Sequence, residues 1–180
     1  MEFDQIITDR LILRQLTPEV YDYVFQTYSS ASLLHFFGLS TQEELDLERK
    51  KYQNGLSTYN RKFLYFQLLD KLHGNIIGWC GYHTWYIDHY RAELGYALFD
   101  DAHKGKGLMS ETLVPIIKYG FEQMNLNRIE AFVGPENTAS NKLLQKFHFV
   151  KEGQMRSHFF KNNQMEDSIV YSLLRSEFKK

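Results

Sequence analysis

The stretch Ala92–Leu113, AELGYALFDDAHKGKGLMSETL, decides the fold. Its first part reads as a strand and its last part as the start of a helix, with Lys104, Gly105, Lys106 and Gly107 packed between them. A helix N-terminus presents unpaired amide donors and a partial positive charge. Glycines let an anion approach those amides and lysines add charge, so the turn has the composition of a phosphate site. A solvated basic turn in which glycines ease the chain into the helix has the same composition. Two named phosphate motifs are absent. Neither glycine is followed by Lys-Ser or Lys-Thr, as a nucleotide P-loop requires, and Ser110 stands where the dinucleotide fingerprint needs its third glycine.

Working outward, KFLYFQLLD (62–70), IIGWCGYHTW (76–85) and AELGYALFD (92–100) read as three successive strands joined by turns, which makes an antiparallel meander. A dinucleotide fold would instead place the glycine turn near the first strand of a parallel unit. Upstream, RLILRQL (10–16) reads as a strand closed by Thr17 as a cap and Pro18 in the first turn of a helix that runs to about Tyr28. STQEELDLERKKYQNG (40–55) reads as a second helix, with a Ser40–Glu43 capping box and a stop at Gly55. Downstream, Leu113, Ile116, Ile117 and Phe121 mark a third helix with Pro115 in its first two turns. RIEAFVG (128–134) is a strand, a fourth helix runs from about Thr138 to near Phe147, and the chain closes as a hairpin around Asn162-Asn163. The expectation is one α/β (α+β) domain over residues 1–180, a mixed, mostly antiparallel seven-stranded sheet flanked by about four helices.

Bulk composition narrows the function classes. With 21 Lys+Arg against 22 Asp+Glu, the chain lacks the basic field that a nucleic-acid surface needs. No run of apolar residues is long enough to span a membrane, and MEFDQIITDR has no secretory pattern. Cys80 is the single cysteine, so no internal disulfide forms, and a cytoplasmic location is expected. No two histidines stand at i, i+4 with a carboxylate between, and no metal is expected.

A second stretch, GPENTASNKLLQKFHF (134–149), follows a strand and opens a helix, so Asn137 and Ser140 lie one turn apart. Asn-x-x-Ser alone is a good helix cap. The two stretches together resemble the GNAT N-acetyltransferase superfamily, and more closely its RimJ/RimL branch of ribosomal-protein N-terminal acetyltransferases. TDRLILRQL, AELGYALFD, LNRIEAFVGPENTASNKLLQKFHFVKEG and EDSIVYSLLRSEF carry the resemblance over nearly the whole chain, residues 30 to 60 contributing little.

The resemblance implies acetyl-CoA as cosubstrate. The superfamily loop Gln/Arg-x-x-Gly-x-Gly/Ala falls here on Lys104, Gly107 and Met109, so the turn through Lys104, Gly105, Lys106, Gly107, Met109 and Ser110 would hold the pyrophosphate. Lys104 and Met109 depart from the pattern. Ala97, Leu98 and Phe99 match the strand edge that pairs with the pantetheine arm, in the manner of strand addition. Asn137 matches the asparagine that contacts that arm, and Ser140 the serine near the thioester sulfur, which would donate to the departing thiolate. The amide around Leu98 or Phe99 would stabilise the oxyanion.

The general base is the weak point. Relatives carry a glutamate where Phe159 or Phe132 stands here, and some a tyrosine acid where Leu144 stands. The remaining candidates are Glu93 and His158, with Glu152 and Asp167 behind them. An α-amine, with a pKa near 8, is already partly neutral at pH 7, so ordered water is an alternative route for the proton. GWCGYHTWYIDHY (78–90) would line the acceptor side, with His83 and Trp85 as contacts. The acceptor is expected to be a protein N-terminus, or else a small amine such as an antibiotic or polyamine. A CoA-binding module without catalysis is a further possibility, and so is a structural domain with an accidental glycine turn. A monomer and a homodimer paired through the last strand both fit.

Overall fold

The computed structural model describes residues 2–53 and 62–178. The chain opens with β1 (Gln5–Ile7) and β2 (Leu11–Leu16), followed by α1 (Pro18–Thr27), α2 (Ser30–Phe37) and α3 (Gln42–Gln53). The meander β3 (Lys62–Asp70), β4 (Ile76–Tyr86) and β5 (Arg91–Leu98) comes next. Then α4 (Leu108–Glu122), β6 (Arg128–Val133), α5 (Thr138–Lys146), β7 (Val150–Lys161) and β8 (Gln164–Leu174) complete the fold. The strands make one sheet in the order β1-β2-β3-β4-β5-β6-β8-β7. Among the described residues no helix is long and apolar enough to cross a membrane.

Side-chain alternation along the strands splits the core in two. Leu64, Phe66 and Leu68 of β3 face the side covered by α4, where Leu113, Ile116, Ile117 and Phe121 pack with Tyr82, Leu94 and Ile129. Phe63 faces the other side, where α1, α2 and α3 bury Val20, Val24, Leu33, Phe37 and Leu45. Each such side chain contributes about 1.5–3 kcal/mol on burial.

Among the described residues the sheet has eight strands and five α-helices flank it, one of each more than expected. β1 is only three residues long and holds through Gln5↔Arg14, Ile6↔Leu13 and Ile7↔Ile12, too short for a period to show. α2 carries legible end signals. The Ser29 hydroxyl accepts the Ser32 N–H, and Gly38 closes the helix at φ 68. The capping box of α3 sits one residue later than Ser40–Glu43. Thr41 Oγ1 accepts the Glu44 N–H, and the Glu44 carboxylate accepts the N–H groups of Ser40 and Thr41. The stop at Gly55 lies outside the described residues. Asn162 and Asn163, at φ 49 and 58, make the closing hairpin turn, both left-handed as a two-residue type I′ turn requires.

One pairing matters most for function. β5 and β6 are the parallel neighbours, and they pair only through Arg91↔Arg128, Ala92↔Ile129 and Glu93↔Glu130. Beyond Glu93 the two strands part, and the end of β5 has a partner on its β4 side alone.

Candidate active site

The opening between β5 and β6 collects the backbone groups that strand addition needs. Phe99 donates its N–H to the Ile77 carbonyl at 3.0 Å, and the register runs Gly78↔Leu98, Trp79↔Ala97, Cys80↔Tyr96. Bonded and non-bonded pairs alternate in an antiparallel ladder. Ala97 therefore turns its backbone groups to β4 as Phe99 does, while Tyr96 and Leu98 turn theirs into the opening. This corrects the expected edge. Phe99 has no free amide to offer an oxyanion, and Leu98 has.

The glycine turn lies at the start of α4. Gly107 is the N-cap at φ 77, left-handed as its position in the loop demands, and no side chain caps the helix in its place. A Cβ placed at Gly105 would meet nothing within 4 Å, so the turn stands open. Arg10 braces it from the start of β2. Its guanidinium donates to the Lys106 carbonyl at 2.9 Å and to Glu111 at 2.7 Å, and the Arg10 amide and Thr8 hydroxyl also donate to Glu111. Lys104 pairs with Asp101. Met109 is buried in the core, so only its backbone can face the turn. Ser110 accepts from Lys146 at 3.2 Å, tying α4 to the end of α5.

Across the opening, Asn137 caps α5 by accepting the Ser140 N–H at 3.1 Å. Asn141 anchors the same loop, donating to the Asn137 carbonyl at 2.8 Å and accepting from the Tyr171 hydroxyl at 2.9 Å. Arg10 and Asn141 were not singled out from sequence. Arg10 meets its partner 101 residues away, and Asn141 sits inside a stretch already read as a cap.

Glu93 and His83 come together on the face away from α4. They are cross-strand partners, with His83 Nδ1 3.4 Å from Glu93 Oε2. Burial, and then the charge of Glu130, raises the Glu93 carboxyl to about 7. Burial lowers His83, which is therefore neutral at pH 7. Glu130 is held by Arg91 at 2.7 Å and Arg128 at 2.8 Å. The other base candidates stand apart from this pair. His158 lies on the outer strand β7, bonded to Ser168 at 3.0 Å with its ring against Phe132. Glu152 is bound by Arg128 and Ser172, which hold it down at about 2. Asp167 accepts from Ser157 and Gln154.

Trp85 does not stand beside His83. The β4 register shifts between His83 and Tyr86, Thr84 takes φ 51, and Trp85 packs against the main core. Trp79 takes that place, its ring against Tyr65 and beside His83 over Gly95. A Cβ at Gly95 would lie 2.9 Å from both His83 Nε2 and Trp79 Cη2. Gly95→Ala is therefore expected to push both rings off β5, at an overpacking cost of about 1–3 kcal/mol. Acceptor KM should rise severalfold while acetyl-CoA KM stays near wild type, as steady-state kinetics varying each substrate will read.

The family model described as Acetyltransferase (GNAT) domain matches residues 10–150. The uncharacterized N-acetyltransferase YoaA of Bacillus subtilis is 33% identical over 96% of this chain and 98% of its own length. The [Ribosomal protein uS5]-alanine N-acetyltransferase of Escherichia coli is 32% identical over 61% of this chain and 56% of its own. Among solved structures, a mutant form of the spermidine/spermine N-acetyltransferase SpeG from Vibrio cholerae superposes with a TM-score of 0.68 at 23% identity, covering 93% of this chain and 96% of that one.

Proposed function

The chain belongs to the GNAT acetyltransferase family, and from that premise we propose that it acetylates the α-amino group of a protein N-terminus. The coarser activity is that of the family: an N-acetyltransferase moving an acetyl group to an amine, with acetyl-CoA as the donor. The observation that carries the acceptor is the Glu93–His83 pair, with its carboxyl near 7. A base of that strength suits an α-amine of pKa near 8, where proton transfer is uphill by about one unit, or ~1.4 kcal/mol. A lysine-like ammonium near 10.4 would put the same step about 3.4 units uphill, more than ~4 kcal/mol. A polycation also gains little here, because Arg91 and Arg128 already occupy both oxygens of Glu130. The uS5-alanine relative supports the same acceptor class.

The residues present fit acetyl-CoA. The uncapped start of α4 after Gly107 offers amides to its phosphates, with Lys106 beside them, and the outward backbone of Leu98 offers a strand edge to its arm. Asn137 and Ser140 border the opening from α5. The cosubstrate supplies the activated acetyl group. Glu93 takes the amine proton, Trp79 and His83 frame the acceptor, and Leu98 donates its amide to the carbonyl oxygen.

Thiol release from acetyl-CoA, measured with ribosomal-protein N-terminal peptides, polyamines and aminoglycosides, tests the reading. Release is expected with free N-terminal peptides and not with the same peptides blocked at the α-amine. Release with polyamines alone would overturn it. The brace on the turn gives a companion result: Arg10→Ala should raise acetyl-CoA KM by about 3- to 10-fold with kcat little changed, since it loosens the Lys106 carbonyl without touching Glu93.

A further inference from the structure

A second recess lies between β2 and α2, three strands away from β5 in the sheet. It is an open cleft of about 460 Å³ lined by Phe3, Arg14, Tyr28, Ser32, His35 and Phe36. Two nitrogens of the Arg14 guanidinium are engaged. Nε and Nη2 donate to the Gln67 side-chain oxygen at 2.8 and 2.6 Å, and Nη2 also donates to the Phe36 carbonyl at 2.8 Å, at the end of α2. These bonds hold α2 against β2, but every acceptor in them is neutral. No group among the described residues accepts from Nη1. Arg10, Arg91 and Arg128 each meet a carboxylate, whereas the partly buried Arg14 meets none among the described residues. Burial pulls its pKa below the ordinary arginine value, with Tyr28 opposing. A cation withdrawn from water without a counter-charge is costly, and an anion in the cleft would relieve it. The surroundings are aromatic. The guanidinium carbon lies 4.2 Å from the Phe36 ring centroid, and the Phe3 and Tyr28 rings pack on Phe36 at 5.2 and 5.7 Å. An apolar recess with one convergent charge has the composition of a small-molecule site.

We propose that this cleft binds a small aromatic carboxylate, with its carboxylate on Arg14 Nη1 and the Tyr28 hydroxyl and its ring among Phe3, Tyr28 and Phe36. One guanidinium supplies one positive charge, which matches a monoanion through a charge-assisted hydrogen bond. A phosphate would need donors beyond the single nitrogen that Gln67 and Phe36 leave over, and it would make no use of the rings. Three strand spacings of about 4.8 Å put Arg14 roughly 14 Å from β5. A ligand of one ring held at Arg14 therefore does not reach Glu93, and the inference stands apart from the acetyl-transfer reading.

Calorimetry of the full chain tests the site with phenylacetate as the probe. Phenylacetamide is its uncharged counterpart, acetate its ringless one, and inorganic phosphate the other anion. Wild type is expected to bind phenylacetate with a Kd below about 1 mM and the other three at least about tenfold more weakly. Saturating CoA should leave the phenylacetate affinity within about twofold of its value without CoA. Tyr28→Phe keeps the ring and loses the hydroxyl, and should weaken phenylacetate by about 3- to 10-fold. Arg14→Met would also loosen α2, so Ala31→Trp closes the cleft instead, from an exposed position of α2 on its wall. That variant should lose phenylacetate binding and melt close to wild type. No binding of phenylacetate to wild type overturns the proposal, as does equal binding of phenylacetamide or acetate. Tighter binding of phosphate, or displacement of phenylacetate by CoA, would place the anion elsewhere and overturn it too. Full affinity retained in either variant does the same.

Discussion

Glu93→Gln is expected to lower kcat/KM for the acceptor by about 100- to 1000-fold at pH 7, the lower part of the range that loss of a positioned base covers, since the carboxyl is only partly ionised there. The amide keeps the volume and can still meet His83, so acetyl-CoA binding should be unchanged. The pH profile separates a base from a structural carboxylate. Glu93 titrates near 7 because burial and Glu130 both disfavour its charge. Only the ionised form accepts a proton, so wild-type kcat/KM should rise with pH through about 7 and be lost below it. In Glu93→Gln the limb near 7 should be replaced by one near 8, the ionisation of the α-amine itself. Stability moves in the opposite sense. A carboxyl raised above its unfolded value favours the protonated native state, so this group costs the fold stability progressively as pH climbs from the ordinary carboxylate range past 7. The variant should therefore gain most over wild type in melting temperature at pH 8 and least at pH 5. Full activity of Glu93→Gln at pH 7 would exclude the base assignment and leave water to carry the proton.

How much of this was legible depends on whether the interaction is local. The meander, the glycine turn and the Asn137 cap are each written within a dozen residues, through periodicity, glycine and cap chemistry. α2 was equally local, and its Ser29 and Gly38 signals sat in plain view within the stretch that contributed least to the resemblance. Glu93 and His83 could be named singly but not paired, because their approach depends on the β4–β5 register. Trp85 leaves the His83 face for a physical reason. Alternation would put it on the same face as His83, but the irregularity at Thr84 reverses the parity, and the ring beside His83 is that of Trp79. The brace from Arg10 to the turn belongs to tertiary packing alone.

Gly78→Ala is expected to damage fold and site together. Gly78 lies opposite Leu98 at the end of β5, and a Cβ there would stand 2.2 Å from the Ala97 carbonyl oxygen and 3.1 Å from Leu98 Cα. Both are backbone atoms, so no rotamer change relieves the overlap. Ordinary contact begins at about 3.4 Å, and the end of β5 must retreat from β4 by roughly an ångström. Overpacking against a side chain costs about 1–3 kcal/mol, and an immovable ladder belongs at or beyond the upper end. For a domain of this size that lowers the melting temperature by about 6–12 °C. The same retreat carries the Leu98 amide toward the opening it borders, so acetyl-CoA KM should rise at least tenfold in the protein that stays folded at 20 °C. Gly153→Ala is the control, since its Cβ meets nothing within 4 Å and it lies on the outer strand β7. It should leave both quantities near wild type. A Gly78→Ala protein with wild-type melting and a wild-type KM would mean that β4 and β5 are not held as closely as the register requires, and the edge that Leu98 offers would have to be sought elsewhere.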